Sequence, residues 1–210
     1  KNFKNIFKKY SNLQKSILSS VGKLDEDVVN YIKSLFQTEI ITHKSKFPFT
    51  NLYSTPETLG IDRMVLAAGA TLMHPNQNRL IIDAGTCITY DFVNSEDQYL
   101  GGAISPGIKI RYKSLNNYTS KLPLLSLSEE FDIIGNSTKS AIHSGVINGV
   151  LFEIEGFISQ YSLKNQDLTI ILTGGDAEFL AKRLKSTIFA NSNFLLESLN
   201  ILSIYLNEND

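Results

Sequence analysis

The chain has no tryptophan, one cysteine, two methionines and five prolines among its 210 residues. A lone cysteine excludes an internal disulfide framework and any cysteine-rich metal site. Cys87 itself reads as a small buried hydrophobe rather than a nucleophile. An excess of charge is also missing. Twenty basic and 21 acidic residues give a net charge of −1, which removes the electrostatic case for a nucleic-acid partner. No apolar run approaches the length of a membrane span and no secretory signal opens the chain, so a cytoplasmic protein is expected, with no membrane partner. Common short motifs are lacking as well: there is no GxGxxG, Walker A lysine loop, CxxC, HExxH or GxSxG. His43, His74 and His143 stand in unrelated contexts and read as surface or capping residues.

What is present is ordinary for a globular protein, with 42% hydrophobic and 20% charged residues. The length suits one large domain or two small ones. One stretch organises the rest: Arg79 to Tyr90, RLIIDAGTCITY. The apolar run Leu80–Ile81–Ile82 ends in Asp83, Ala84, Gly85 and Thr86, and apolar residues resume through Ile88, Tyr90 and Phe92. This predicts a buried strand, a tight turn and a second strand. Gly85 allows close backbone approach, and turn N–H groups there can form an anion-binding nest. Asp83 offers oxygen to a cation and Thr86 a hydroxyl to a phosphate. A hairpin whose polar tip merely faces water accounts equally for the same four residues.

Upstream, Phe3, Ile6, Phe7 and Tyr10 fall at helical spacing. Lys15 to Val21 reads as a strand. Asp25 caps a helix with an expected buried face of Val28, Val29, Ile32, Leu35 and Phe36, and Thr38 to Thr42 forms another strand. This β–α–β order predicts an α/β domain with parallel pairing. A loop, His43 to Thr58, leads to a helix carrying Met64, Leu66, Ala67, Ala70 and Met73, with Asp62 and Arg63 near its start. A carboxylate there can simply favour the helix dipole. Beside an arginine and after Gly60–Ile61, it can also serve a cleft in which Arg63 holds an anion by a bidentate fork.

Downstream, Tyr99 to Gly107 (YLGGAISPG) is a short glycine-marked strand before a helix with Ile108, Ile110, Tyr112 and Leu115. Gly135–Asn136–Ser137–Thr138 reads as a helix cap. Thr169 to Thr173 is a buried strand that ends at Gly174–Gly175–Asp176, ahead of a helix with Phe179, Leu180 and Leu184. A glycine pair in that position is a weak nucleotide signal. Asn193 to Leu206 forms a last amphipathic helix.

Taken together and in order, TLGIDR, IIDAGTCITYDF, GGAISPG, GNSTKSAIHSG and ILTGGDA resemble the type III pantothenate kinases. The resemblance runs from about Ser19 to the final helix. It implies two ribonuclease-H-like halves of the acetate and sugar kinase, Hsp70 and actin fold, with ATP in the cleft between them. These would fall at residues 1–77 and 78–210. The first half would lack its N-terminal strands and their DxGNT phosphate loop in this chain, so a preceding segment is expected. The implied reaction is phosphorylation of pantothenate, the first step of coenzyme A biosynthesis.

Residue by residue, Asp62 matches the proposed catalytic base, and Gly60, Ile61, Asp62 and Arg63 match the substrate-binding stretch. Tyr53 and Thr138 match further pantothenate contacts. Thr86 and Gly85 match the phosphate contact, and Gly174 and Gly175 would lie near the adenosine. Asp83 matches the ligand of a monovalent cation, potassium or ammonium. Magnesium on ATP and a homodimer are implied as well. The rival expectations are a catalytically silent regulatory homologue of the same fold and a kinase for another small hydroxy acid.

Overall fold

The computed structural model describes Tyr10, residues 12–20, Gly22 and residues 25–208. The helix expected over Phe3, Ile6 and Phe7, and Val21 of the first strand, lie outside the described residues. Strands β1 (Lys15–Leu18) and β2 (Gln37–Ile40) pair in parallel around helix α1 (Glu26–Leu35), as the β–α–β pattern predicts. Asp25 caps α1 by accepting the Asp27 N–H at 3.0 Å. The expected apolar face of α1 is a correction: only Ile32 is buried, whereas Val28 and Leu35 are exposed. A two-stranded sheet offers a helix too narrow a floor to cover a full stripe.

The remaining strands form one mixed sheet. They are β3 (Thr50–Asn51), β4 (Asn78–Ala84), β5 (Cys87–Val93), β6 (Gln98–Pro106), β7 (Leu168–Thr173) and β8 (Phe189–Ala190), in the order β3-β6-β5-β4-β7-β8. β4, β5 and β6 run as an antiparallel meander, while β7 and β8 join in parallel beyond β4. A meander followed by parallel additions on the far side of its first strand is the ribonuclease-H-like arrangement, and the α/β class is as expected. Two features differ from expectation. β6 is a nine-residue strand rather than a short one, and the loop before residue 58 contains β3. β3 has only two residues at a sheet edge, too few for a periodic signal.

Helices cover both faces. On one lie α2 (Ile61–Met73) and α6 (Phe194–Glu208), which bury Ile81, Val93, Tyr99 and Ile171. On the other lie α3 (Ile108–Asn117), α4 (Thr138–Lys164) and α5 (Ala177–Ala181), over Leu80, Ile82, Tyr90 and Leu172. Alternation along β4 sends Leu80 and Ile82 to one face and Ile81 to the other. By length and composition α4 is apolar enough to cross a membrane, contrary to the expectation from short runs. Its Val146, Ile147, Val150 and Ile154 instead pack on the sheet as a core helix does. His143, expected at the surface, is buried on α4 and bonds the Tyr112 hydroxyl at 2.7 Å.

The seat of α2 depends on one glycine. A Cβ at Gly69 would fall 1.9 Å from Ser198 Oγ and 2.9 Å from its Cα on α6. Gly69→Ala is therefore expected to cost about 3 kcal/mol by overpacking, read as a lower denaturation midpoint. Ser198 Oγ is buried with no hydrogen-bond partner among the described residues. Ser198→Ala removes that orphaned hydroxyl and is expected to stabilise by about 1 kcal/mol in the same measurement.

Candidate active site

Helix α2 starts beside the end of β4, and this puts the first-turn carboxylate over the sheet. Gly60 caps α2 without a side-chain bond, and Asp62 turns its Oδ1 back to accept the Arg63 N–H at 2.9 Å. A Cβ at Gly60 would lie 2.4 Å from that oxygen, so glycine is what leaves room for this orientation of Asp62. Gly60→Ala is expected to displace this carboxylate with little loss of stability and, where Asp62 acts on a substrate atom, to lower turnover about 10- to 100-fold. Steady-state kinetics and a thermal melt check both halves of this. Ile61 is buried in the core, so only its backbone can face a ligand.

Arg63 is placed differently from an open anion fork. Its guanidinium is buried and bonds Asp91 through Nε at 2.9 Å and Nη2 at 2.7 Å, both to Oδ1. Asp91 is fully buried and also accepts from Tyr99 Oη at 2.5 Å and Thr89 Oγ1 at 3.1 Å. Burial alone would make Arg63 easier to deprotonate, but the Asp91 carboxylate outweighs it and holds the guanidinium charged. The ring of Tyr53 stands 5.9 Å from the Arg63 guanidinium carbon, next to Gly101 and the Tyr99 ring. Tyr53, Asp62 and Arg63 thus gather on the α2 face.

Asp83 joins them there. It is the cross-strand partner of Thr89, and its pKa is pushed up to about 6 by burial first, then by the charges of Asp62 and Asp91. No basic side chain pairs with it among the described residues, so the local charge is uncompensated and negative. That environment suits a cation. Among the described residues no group of three or more His, Cys, Asp or Glu side chains is arranged as a metal site.

The hairpin tip meets the β7–α5 turn. Thr86 is exposed at the tip, and Asp176 N–H bonds Ala84 O at 3.0 Å. Gly174 has φ of 95°, and a Cβ on it would sit 2.4 Å from Asp83 Oδ1, so the turn requires glycine. Gly175 is exposed beside it. Two expectations are corrected. The Gly85 N–H is not free for a nest, since it bonds Cys87 O at 2.9 Å. Cys87 is exposed rather than buried, because it is the first residue after the tip.

Thr138 is not brought to these residues. Ser137 is the cap of α4, in a capping box with Ser140, and Thr138 follows it on the opposite face of the sheet. There it lines an open cavity of about 700 Å³ with Arg111, Leu115 and Ile142. Sequence reasoning missed Asp91. It sits inside the strand between Tyr90 and Phe92, where alternation does not separate a buried polar role from a solvated one.

Comparison with known proteins supplies the family. A family model described as type III pantothenate kinase matches residues 1–160. The chain is 56% identical over 210 residues to the type III pantothenate kinase of Flavobacterium johnsoniae, covering 100% of this chain and 86% of that protein. It is 51% identical over 201 residues to that of Christiangramia forsetii, covering 96% and 83%. A solved structure from Campylobacter jejuni, described as a Baf family transcriptional activator, superposes with a TM-score of 0.65 at 20% identity, covering 100% of this chain and 90% of that one, and supports the fold. With a family model over most of its length and relatives above half identity, the chain belongs to the type III pantothenate kinase family.

Proposed function

We infer that this protein uses ATP to phosphorylate pantothenate, the first step of coenzyme A biosynthesis. The observation that carries the site assignment is the gathering of Tyr53, Asp62 and Arg63 on one face of the sheet, against the strand end that holds Asp83. Asp62 keeps Oδ1 on its neighbour's N–H and leaves Oδ2 for the substrate hydroxyl. As the hydroxyl oxygen bonds the γ-phosphorus, the bridging bond to the β-phosphate breaks and the hydroxyl proton passes to Asp62. In a loose transition state this carboxylate chiefly aligns the nucleophile. Arg63 and Tyr53 receive the pantothenate chain, with the guanidinium edge not used by Asp91 turned to its carboxylate.

Thr86 takes a phosphate, with Gly85 allowing close backbone approach beside it and Gly174 and Gly175 near the adenosine. Magnesium travels with ATP, and potassium or ammonium at Asp83 would offset phosphate charge. The nucleotide lies between the β1–α1–β2 part of the first half and the six-stranded sheet, which β3 and α2 join. Thr138, on the far face, reaches a pantothenate only across a subunit interface, which favours a homodimer. The protein is a cytoplasmic enzyme on this account. ADP release by the full-length protein in potassium, with and without pantothenate, tests it: pantothenate-dependent release is expected. ADP release that ignores pantothenate would remove the assignment.

A further inference from the structure

A buried ion pair, Arg63 with Asp91, lies one step behind the proposed site. Asp91 has no exposed surface, yet its carboxylate is held from three elements: by Arg63 of α2, by Thr89 of β5 and by Tyr99 of β6. A buried ion pair of this kind gives little net stability over apolar residues of the same shape, since desolvation offsets the attraction. Its geometry does something else. Nε and Nη2 of Arg63 are both committed to Asp91 Oδ1, which fixes the orientation of the guanidinium, with the Tyr53 side chain also on it. The backbone N–H of the same Arg63 fixes Asp62 Oδ1. One buried carboxylate therefore determines where the Arg63 guanidinium points, on the residue whose backbone N–H holds Asp62.

We propose that Asp91 is a positioning residue for phosphoryl transfer: it clamps the Arg63 guanidinium in place beside Asp62. This rests on the assignment of Asp62 and Arg63 to the pantothenate site. Tyr99 and Thr89 hold the clamp rather than touch the substrate. Tyr99 contributes its hydroxyl at 2.5 Å and a ring packed near Phe49 and Tyr53, so removing the hydroxyl alone loosens the clamp without emptying the core.

The test is steady-state kinetics on the full-length protein and four variants: Asp91→Asn, Tyr99→Phe, Arg63→Gln and the double Asp91→Asn/Arg63→Gln. Thermal melts identify which remain folded. Asp91→Asn is expected to lower kcat/KM for pantothenate at least about 30-fold, and Tyr99→Phe about 3- to 10-fold, with the KM for ATP moving less than about threefold. Because Asp91 acts through Arg63, the double variant is expected to lie within about threefold of Arg63→Gln alone. Losses that multiply in the double variant overturn the proposal, as does an equal rise in the KM for ATP, which marks general distortion. If Asp91→Asn does not fold, Tyr99→Phe decides, and wild-type kinetics in that variant overturn the clamp. A wild-type protein with no pantothenate-dependent turnover overturns the assignment of the site and the clamp with it, whereas the other outcomes leave that assignment standing.

Discussion

Asp62→Asn is expected to lower kcat by about 10²- to 10³-fold while the KM for pantothenate changes less than about threefold. The reason lies in how the carboxylate is held. One oxygen is tied to the Arg63 N–H and Gly60 leaves room for that orientation, so the other is presented in a fixed direction. Asparagine keeps the shape and one acceptor, but it cannot take the proton of the hydroxyl. Binding of the substrate chain rests on Arg63 and Tyr53, which the substitution leaves alone. Equal losses in kcat/KM and in affinity would instead make Asp62 a binding group.

The second large effect concerns Asp83 and the cation. With a folded-state pKa of about 6 against an ordinary carboxyl near 4, the folded protein binds a proton that the unfolded chain has released. Its contribution is therefore fully present below about pH 4 and is lost as pH rises through about 6. The full linkage corresponds to about 3 kcal/mol, and partial solvent access reduces this to about 1–2 kcal/mol. Without potassium, the melting temperature of wild-type protein is expected to fall across that window relative to Asp83→Asn, with the variant the more stable at neutral pH. Potassium replaces the proton as counter-charge, so it is expected to flatten the wild-type curve and leave the variant unmoved. The same substitution should remove any advantage of potassium over sodium in turnover. A wild-type curve that ignores potassium would take Asp83 out of the cation site.

Much of this arrangement was legible in the sequence, for physical reasons that differ by element. The hairpin of β4 and β5 announced itself because a fully buried strand leaves an apolar run and a tight tip needs Gly85. The cap of α1 at Asp25 and that of α4 at Ser137 follow from local hydrogen bonding, which a short window contains. What was not legible depends on contacts between distant residues. Arg63 reads as a free fork until β5 brings Asp91 beneath it, 28 positions later in the chain. Cys87 reads as core by residue type, but its exposure is set by the turn before it. The separation of Thr138 from Asp62 is a matter of which face α2 and α4 each cover, and residue spacing carries no such information.

Transfer of the γ-phosphoryl group to pantothenate by the cluster at the start of α2 can be followed directly. Full-length protein, in potassium and magnesium, is incubated with pantothenate and with ATP labelled in its γ-phosphate, and the label is traced. Label is expected in phosphopantothenate with the wild type, and about a hundredfold less or lower with Asp62→Asn. Label appearing only as free phosphate, or transfer that survives Asp62→Asn unchanged, would contradict that role for the cluster.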